Sequence, residues 1–398
     1  MAITLVAIAA LAATGAFAQS SVAITGVVDA GYGSFSSQNT GAAKLVQKGI
    51  QYNADNTSRW QIKAVEDIGG GVKAGTTIES ALSTNPGRNF GWGTGTTGVG
   101  AVTNTDYSLT GVGNTIDAQK IGDRIMTVDL TMGAHTINAG NQAQPTRAVA
   151  VGFQADGSNL IGNLVGNDDT LVGRVVAINY VYNAGNGLNV GGAYMANTKT
   201  KDGVNDSKTK NGYALTARYT QGPLDAGAVW SKQTTNDAAA APAAATPAAS
   251  YVATAQLLSP VANLGAAAKN VETTSTVLGV SYDLSVAKLY GQYASTANED
   301  TLNATKNWSK RHATSVGVRV PFGKAWAFAQ LSNGKNQITG GASAAGYEGD
   351  WKGHTVGVKY DMSKRTYAYV GAGSAKFGTT ATTESKASQY AMGLVHSF

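Results

Sequence analysis

The feature that most restricts how this chain can fold is a two-residue alternation that returns, segment after segment, from Ser20 to Phe398. Val22, Ile24, Val28 and Tyr32 share one parity, while Thr25, Asp29 and Gly33 share the other. Tyr213, Leu215, Ala217 and Tyr219 alternate with Thr216, Arg218 and Thr220. Leu278, Val280, Tyr282 and Leu284 alternate with Gly279, Ser281 and Asp283, and Val356, Val358 and Tyr360 with Gly357 and Lys359. Successive side chains of a strand point to opposite faces, so a period of two predicts strands with one apolar face and one polar or small face. After Ala18 no long segment carries the 3.6-residue period of an amphipathic helix.

Alternation alone fits a sandwich as well as a closed sheet. Two further features separate them. The polar face carries charges, namely Asp29, Lys63, Lys73, Glu79, Arg218, Arg319 and Lys359, as a wall wetted on its inner side would. Connectors also alternate in length. Tight turns fall at 68–71, 184–187, 222–223, 321–323 and 361–364; long connectors run over 35–56, 82–122, 142–172, 197–211, 234–272, 296–310, 334–350 and 378–386. Short turns at one end and long loops at the other are the asymmetry of outer-membrane barrels. The segments number about sixteen, an even count that such barrels share. A sheet facing hydrocarbon must pair every backbone group, and only closure removes its edges. Sixteen strands leave a water-filled bore, whereas eight are filled by side chains. The fold class is therefore all-β, a transmembrane antiparallel barrel. Tyr32, Trp60, Trp230, Tyr360, Tyr367, Tyr369, Tyr390 and Phe398 lie near strand ends, where interfacial aromatic girdles belong.

The N-terminal stretch differs from the rest. Ala2 to Ala18 carries no charge, is mostly apolar and ends Ala16-Phe17-Ala18, a small-x-small cleavage pattern. This predicts a signal peptide over 1–18 and a barrel domain over 19–398, against the alternative of a buried N-terminal helix. No later apolar run approaches the ~20 residues a membrane helix needs. With no Cys among 398 residues, thiolate metal sites and Cys nucleophiles are excluded. Charged residues make up only 14 %, beside 50 Gly and 17 Tyr, the reverse of a disordered chain. The net charge of +6 comes from dispersed basic residues, which fit an electropositive bore or anionic headgroups better than nucleic acid. The Ala-rich segment 237–270 is read as a long outer loop, with an interdomain linker as the alternative.

Four stretches carry a family resemblance. Ser20 to Gly31 resembles the first strand of the general porins of Gram-negative outer membranes, in their β-proteobacterial branch. Ser58-Arg59-Trp60 through Glu66-Asp67-Ile68-Gly69-Gly70-Gly71-Val72-Lys73-Ala74 resembles that family's second hairpin and is the most specific match. Gly140-Asn141-Gln142 stands where the family has Gly-Arg-Gln, and Gln389 to Phe398 is similar to its last strand and terminal Phe. The resemblance implies a trimeric pore for passive diffusion of small hydrophilic solutes and ions, in contact with outer-membrane lipid and lipopolysaccharide, with no cofactor. It implies that Phe398 is the signal read by the barrel-assembly machinery. It also implies that the third long loop, 142–172, folds into the barrel and narrows it to an eyelet.

On that reading Arg147, Asp156, Asp168 and Asp169 are loop-side residues of the constriction. Arg59 shares parity with Lys63, opposite Trp60 and Ile62, so both should point inward. Arg124 aligns with a family wall arginine, although Asp129 interrupts the alternation after it. Asn141 replaces an expected arginine, which weakens the anion preference the resemblance implies. Arg174, in parity with Val176, Ile178 and Tyr180, reads as a rim residue. Three other functions compete. A substrate-specific channel or a surface receptor or adhesin barrel would use its loops to bind. A barrel enzyme would need a nucleophile and base, but His135, His312, His354 and His396 sit in no recognisable motif. A secreted sandwich would dissolve without detergent.

Overall fold

The computed structural model describes residues 20–39, 44–82, 121–163, 165–166, 169–196, 209–236, 270–301, 308–339, 349–378 and 384–398. The proposed signal peptide, Asp168 and most of 237–270 lie outside these residues. The strands are β1 (Ser21–Asn39), β2 (Leu45–Tyr52), β3 (Arg59–Gly69), β4 (Val72–Ala81), β5 (Ile125–Met132), β6 (His135–Ala143), β7 (Arg174–Asn183) and β8 (Leu188–Ala196). They continue as β9 (Thr209–Gln221), β10 (Leu224–Asn236), β11 (Asn270–Asp283), β12 (Lys288–Asp300), β13 (Trp308–Phe322), β14 (Ala325–Thr339), β15 (Gly349–Asp361), β16 (Thr366–Phe377) and β17 (Ser385–Ser397). Two short helices, α1 (Pro145–Gly152) and α2 (Asp169–Val172), lie between β6 and β7.

Every pairing is antiparallel between neighbours, and β1 pairs with β17, so the sheet closes on itself. The lower half of β1 pairs with β3 and its upper half with β2. Those two segments therefore form one broken stave, and the seventeen strand segments make a 16-strand barrel. The break at 53–58 follows from turn-forming residues. Asn53 takes a left-handed backbone (φ 63°), which Asn tolerates, and its Oδ1 accepts the Ser58 N–H at 2.7 Å.

The two faces differ as the alternation predicts. On β9 Leu215 is 62 % exposed and its neighbour Ala214 1 %. The outward rows are apolar, as at Val22, Ile24, Val128 and Leu331. Asp129 does not interrupt the pattern, because Thr127, Asp129 and Thr131 share the inner parity while Met126 and Val128 face outward. Several loops are shorter than expected. The connector expected over 35–56 is largely strand, with β1 reaching Asn39 and β2 starting at Leu45. The loops expected at 296–310 and 334–350 also begin later and end earlier, because the flanking strands extend into both ranges.

Candidate functional site

The chain between β6 and β7 enters the barrel and lies along its inner wall. Pro145 starts α1, a position where its missing N–H costs nothing. The helix is pinned by Gln292 of β12, whose Nε2 donates to the carbonyls of Val149 (3.0 Å) and Ala150 (2.9 Å). Phe153, 1 % exposed, fills space left open by Gly227 and Gly279 of β10 and β11. Farther on, the Ala155 N–H donates to Gln330 Oε1 at 2.9 Å, and Arg319 donates two bonds to the Ala155 carbonyl. Leu160 and Ile161 rest on Gly371 and Gly373 of β16, and the Ile161 N–H donates to Gln389 Oε1 at 3.1 Å. The wall from β10 to β17 thus carries a glycine seat and a set of amide acceptors and donors. Removing an apolar side chain of this size from water stabilises the seat by about 2 kcal/mol each.

The wall of β3 to β5 holds the basic residues. Arg59 Nε stands 3.4 Å from Glu79, and its Nη1 donates to Asn56 Oδ1 and the Thr57 carbonyl. Arg124 Nε reaches the other Glu79 oxygen at 2.7 Å. Arg59 and Arg124 are therefore brought together on one carboxylate, leaving one positive charge in excess. Lys63, four residues along β3 on the same parity, is exposed.

The remaining candidates are placed differently. Asp156 is fully buried, its carboxylate accepting from Ser158 Oγ at 2.8 Å and Asn163 Nδ2 at 3.1 Å. Burial pushes its carboxyl above the usual carboxylate range, against the pull of Ser158. It shapes the loop and does not line open water. Arg147 Nη1 donates to the Val172 carbonyl at the end of α2, and Asp169 opens that helix. Asn141 stands opposite Met126 and Val176, and its amide donates to the carbonyls of Gly122 and Asp123. It therefore holds the turn ahead of Arg124 and does not face the loop. Arg174 also joins the base of the loop, donating to the Arg124 carbonyl at 2.9 Å.

One part of the site escaped the sequence reading. The inward bend at 53–58 builds a buried polar cluster against β15 and β16. Asp29 accepts the N–H groups of Asp55 (2.7 Å) and Asn56 (2.8 Å) and the hydroxyl of Tyr369 (2.8 Å). Asp55 in turn pairs with Lys359 Nζ at 2.7 Å and accepts from Tyr367 at 2.7 Å. Asn159 of the inner loop donates to the Asn53 carbonyl at 2.9 Å, so the bend meets the inner loop. The role of Glu79 was within reach. The tight turn at 69–71 fixes the register, and that register puts Glu79 diagonal to Arg59.

A closed antiparallel barrel, apolar outside and charged within, narrowed by a loop seated on its own wall, defines the class of transmembrane barrels of the bacterial outer membrane. The chain belongs to the Gram-negative porin family, whose model matches residues 4–380. It is 38 % identical over 90 residues to outer membrane porin protein 32 of Delftia acidovorans, an alignment covering 22 % of this chain and a quarter of that protein. The fold is similar to that of the anion-selective porin from Comamonas acidovorans (TM-score 0.67, 20 % identity, 96 % of this chain and 100 % of the other). It is also similar to the outer membrane channel DcaP of Acinetobacter baumannii (TM-score 0.61, 11 % identity, 95 % and 97 %).

Proposed function

We propose that the chain forms a water-filled channel for passive diffusion of small hydrophilic solutes and ions, with a weak preference for anions. The observation that carries this reading is the charge balance at the narrowing. Arg59 and Arg124 share the single carboxylate of Glu79, Lys63 stands exposed nearby, and the loop's Asp156 is turned away from water. A constriction with excess positive charge attracts anions and holds back cations. The anion-selective relative from Comamonas supports the same sign. The reading includes assembly as a homotrimer; a structurally similar outer membrane protein of Vibrio cholerae has been solved in a trimer form. It includes no catalytic step. His135 is engaged with Tyr180 and His396 with Thr366, on well-separated strands.

The test is the reversal potential across a salt gradient in a planar bilayer. Discrete conductance steps and an anion-side potential are expected, and Arg59→Glu should move that potential toward cations. Folded protein that passes no current defeats the channel reading. A potential unchanged in Arg59→Glu removes Arg59 from the constriction.

A further inference from the structure

The bend at 53–58 supplies the acceptors that direct Arg59. Arg59 Nη1 donates to Asn56 Oδ1 at 2.9 Å and to the Thr57 carbonyl at 2.7 Å. Its contact with Glu79 is looser, 3.4 Å from Nε, and the same carboxylate oxygen accepts from Gln61 Nε2 at 3.3 Å. Arg124 holds the other oxygen at 2.7 Å. A guanidinium gains most from a two-pronged pair with a carboxylate. Arg59 makes no such pair with Glu79, and two neutral acceptors on the bend hold it instead. Neutral acceptors fix the direction of a guanidinium without cancelling its charge. Where Arg59 points therefore depends on where the bend stands.

The bend is fastened from strands far along the chain. Of its side chains, Ala54 joins an apolar cluster, and the other anchors are polar. Lys359 Nζ of β15 lies 2.7 Å from Asp55 Oδ1 and 2.8 Å from Oδ2, and Tyr367 of β16 donates to Oδ2 at 2.7 Å. Asp29 accepts the next two N–H groups of the bend and is itself held by Tyr369. The Lys359 side chain is 5 % exposed, with the rings of Trp326 and Tyr367 about its ammonium group at 5.1 and 5.4 Å. Its charge faces Asp55 and is screened by those rings from open water. A line of contacts thus runs from Lys359 through Asp55 and the bend to Asn56, Thr57 and Arg59.

We propose that Lys359 is a positioning residue of the constriction. By anchoring Asp55 it fixes the bend, and the bend sets the direction in which Arg59 presents its charge to passing ions. Without the anchor the acceptors at 56–57 shift, and Arg59 is free to close onto Glu79 beside Arg124. Coulomb attraction falls with distance and with pairing, so an Arg59 withdrawn onto a carboxylate draws anions less strongly. The proposal rests on the reading of Arg59 as a constriction residue.

The test is a double-mutant cycle on the folded protein in a planar bilayer, with the reversal potential across a KCl gradient as the readout. Each variant is made in the wild-type background and in Arg59→Gln. Lys359→Met should lower the anion-over-cation permeability ratio about twofold in the wild-type background, the effect of drawing one unit charge back from the ion path. In Arg59→Gln it should change nothing further, because the side chain it acts through is gone. Asn56→Ala removes one acceptor of Arg59 and alters no charge, and should act in the same direction with the same dependence on Arg59. Tyr367→Phe should give a smaller shift. These two variants decide the matter if Lys359→Met fails to fold. Shifts of equal size in both backgrounds would mean that the bend acts through bore width, or Lys359 through its own charge, and would overturn the proposal. Wild-type potentials in Asn56→Ala and Tyr367→Phe overturn it as well, and if Arg59→Gln does shift the potential, the proposal falls alone. An Arg59→Gln variant with the wild-type potential defeats the constriction reading, and the proposal with it.

Discussion

At the scale of single residues the barrel interior is held by a few buried ion pairs whose value lies in being complete. Lys359 and Asp55 have side chains only 5 % and 2 % exposed, and Trp326 and Tyr367 stack on the ammonium group. Removing one member of such a pair leaves an uncompensated charge and costs about 3–5 kcal/mol. Lys359→Met should therefore lower unfolding stability by about 3 kcal/mol in a denaturant titration of folded protein. Asp156 makes the complementary point. Its carboxyl is raised above the usual range by burial, so the folded protein holds a proton there more tightly than the unfolded chain does. Stability then falls as pH rises through the raised value. Asp156→Asn removes that titration. The stability difference between the two should shift in favour of the wild type as pH is lowered toward the ordinary carboxylate range.

At the scale of elements, the inner loop stays in the bore because the wall opposite it lacks side chains where it lands. A Cβ at Gly373 would collide with the Ile161 carbonyl, and one at Gly227 would sit 3.0 Å from Phe153 and Val149. A backbone carbonyl cannot yield as a flexible side-chain tip can. Gly373→Ala should push the loop off its seat at a cost of about 1–3 kcal/mol, the range for overpacking. Single-channel conductance should change as well, whereas Gly291→Ala, which meets nothing closer than the Val280 side chain at 3.4 Å, should leave it as it was. An unaltered conductance in Gly373→Ala would mean that the loop does not set the width of the bore.

At the scale of the whole molecule, the closing seam between β1 and β17 runs down to Phe398. Gly26 donates to the Phe398 carbonyl at 2.9 Å and accepts the Phe398 N–H at 3.0 Å, and the ring of Phe398 covers the space where Gly26 has no side chain. Deleting Phe398 removes the final rung between β1 and β17 and bares part of both edges. The yield of heat-modifiable folded barrel in lipid vesicles should fall sharply. A truncated chain that folds as efficiently as the full one would detach Phe398 from assembly.

What the sequence determined by itself was the two-faced character of most strands; Tyr367 and Tyr369, read as girdle aromatics, face the bore and bond to Asp55 and Asp29 instead. Side-chain parity is a local property of extended backbone, so Arg59, Lys63 and Glu79 could be assigned to one face from their spacing alone. Turn chemistry placed most of the short connectors in the same way. Tertiary structure decided which of these residues meet. Asn159 reaches Asn53 across 106 residues, and Lys359 reaches Asp55 across 304. Such pairs exist only because the sheet closes and a loop turns inward, and neither event leaves a periodic mark on the chain. The same cause turned Asp156 into the loop's own framework and gave Asn141 a supporting part behind Arg124. Position along a strand is written locally, but position across a barrel is set by closure.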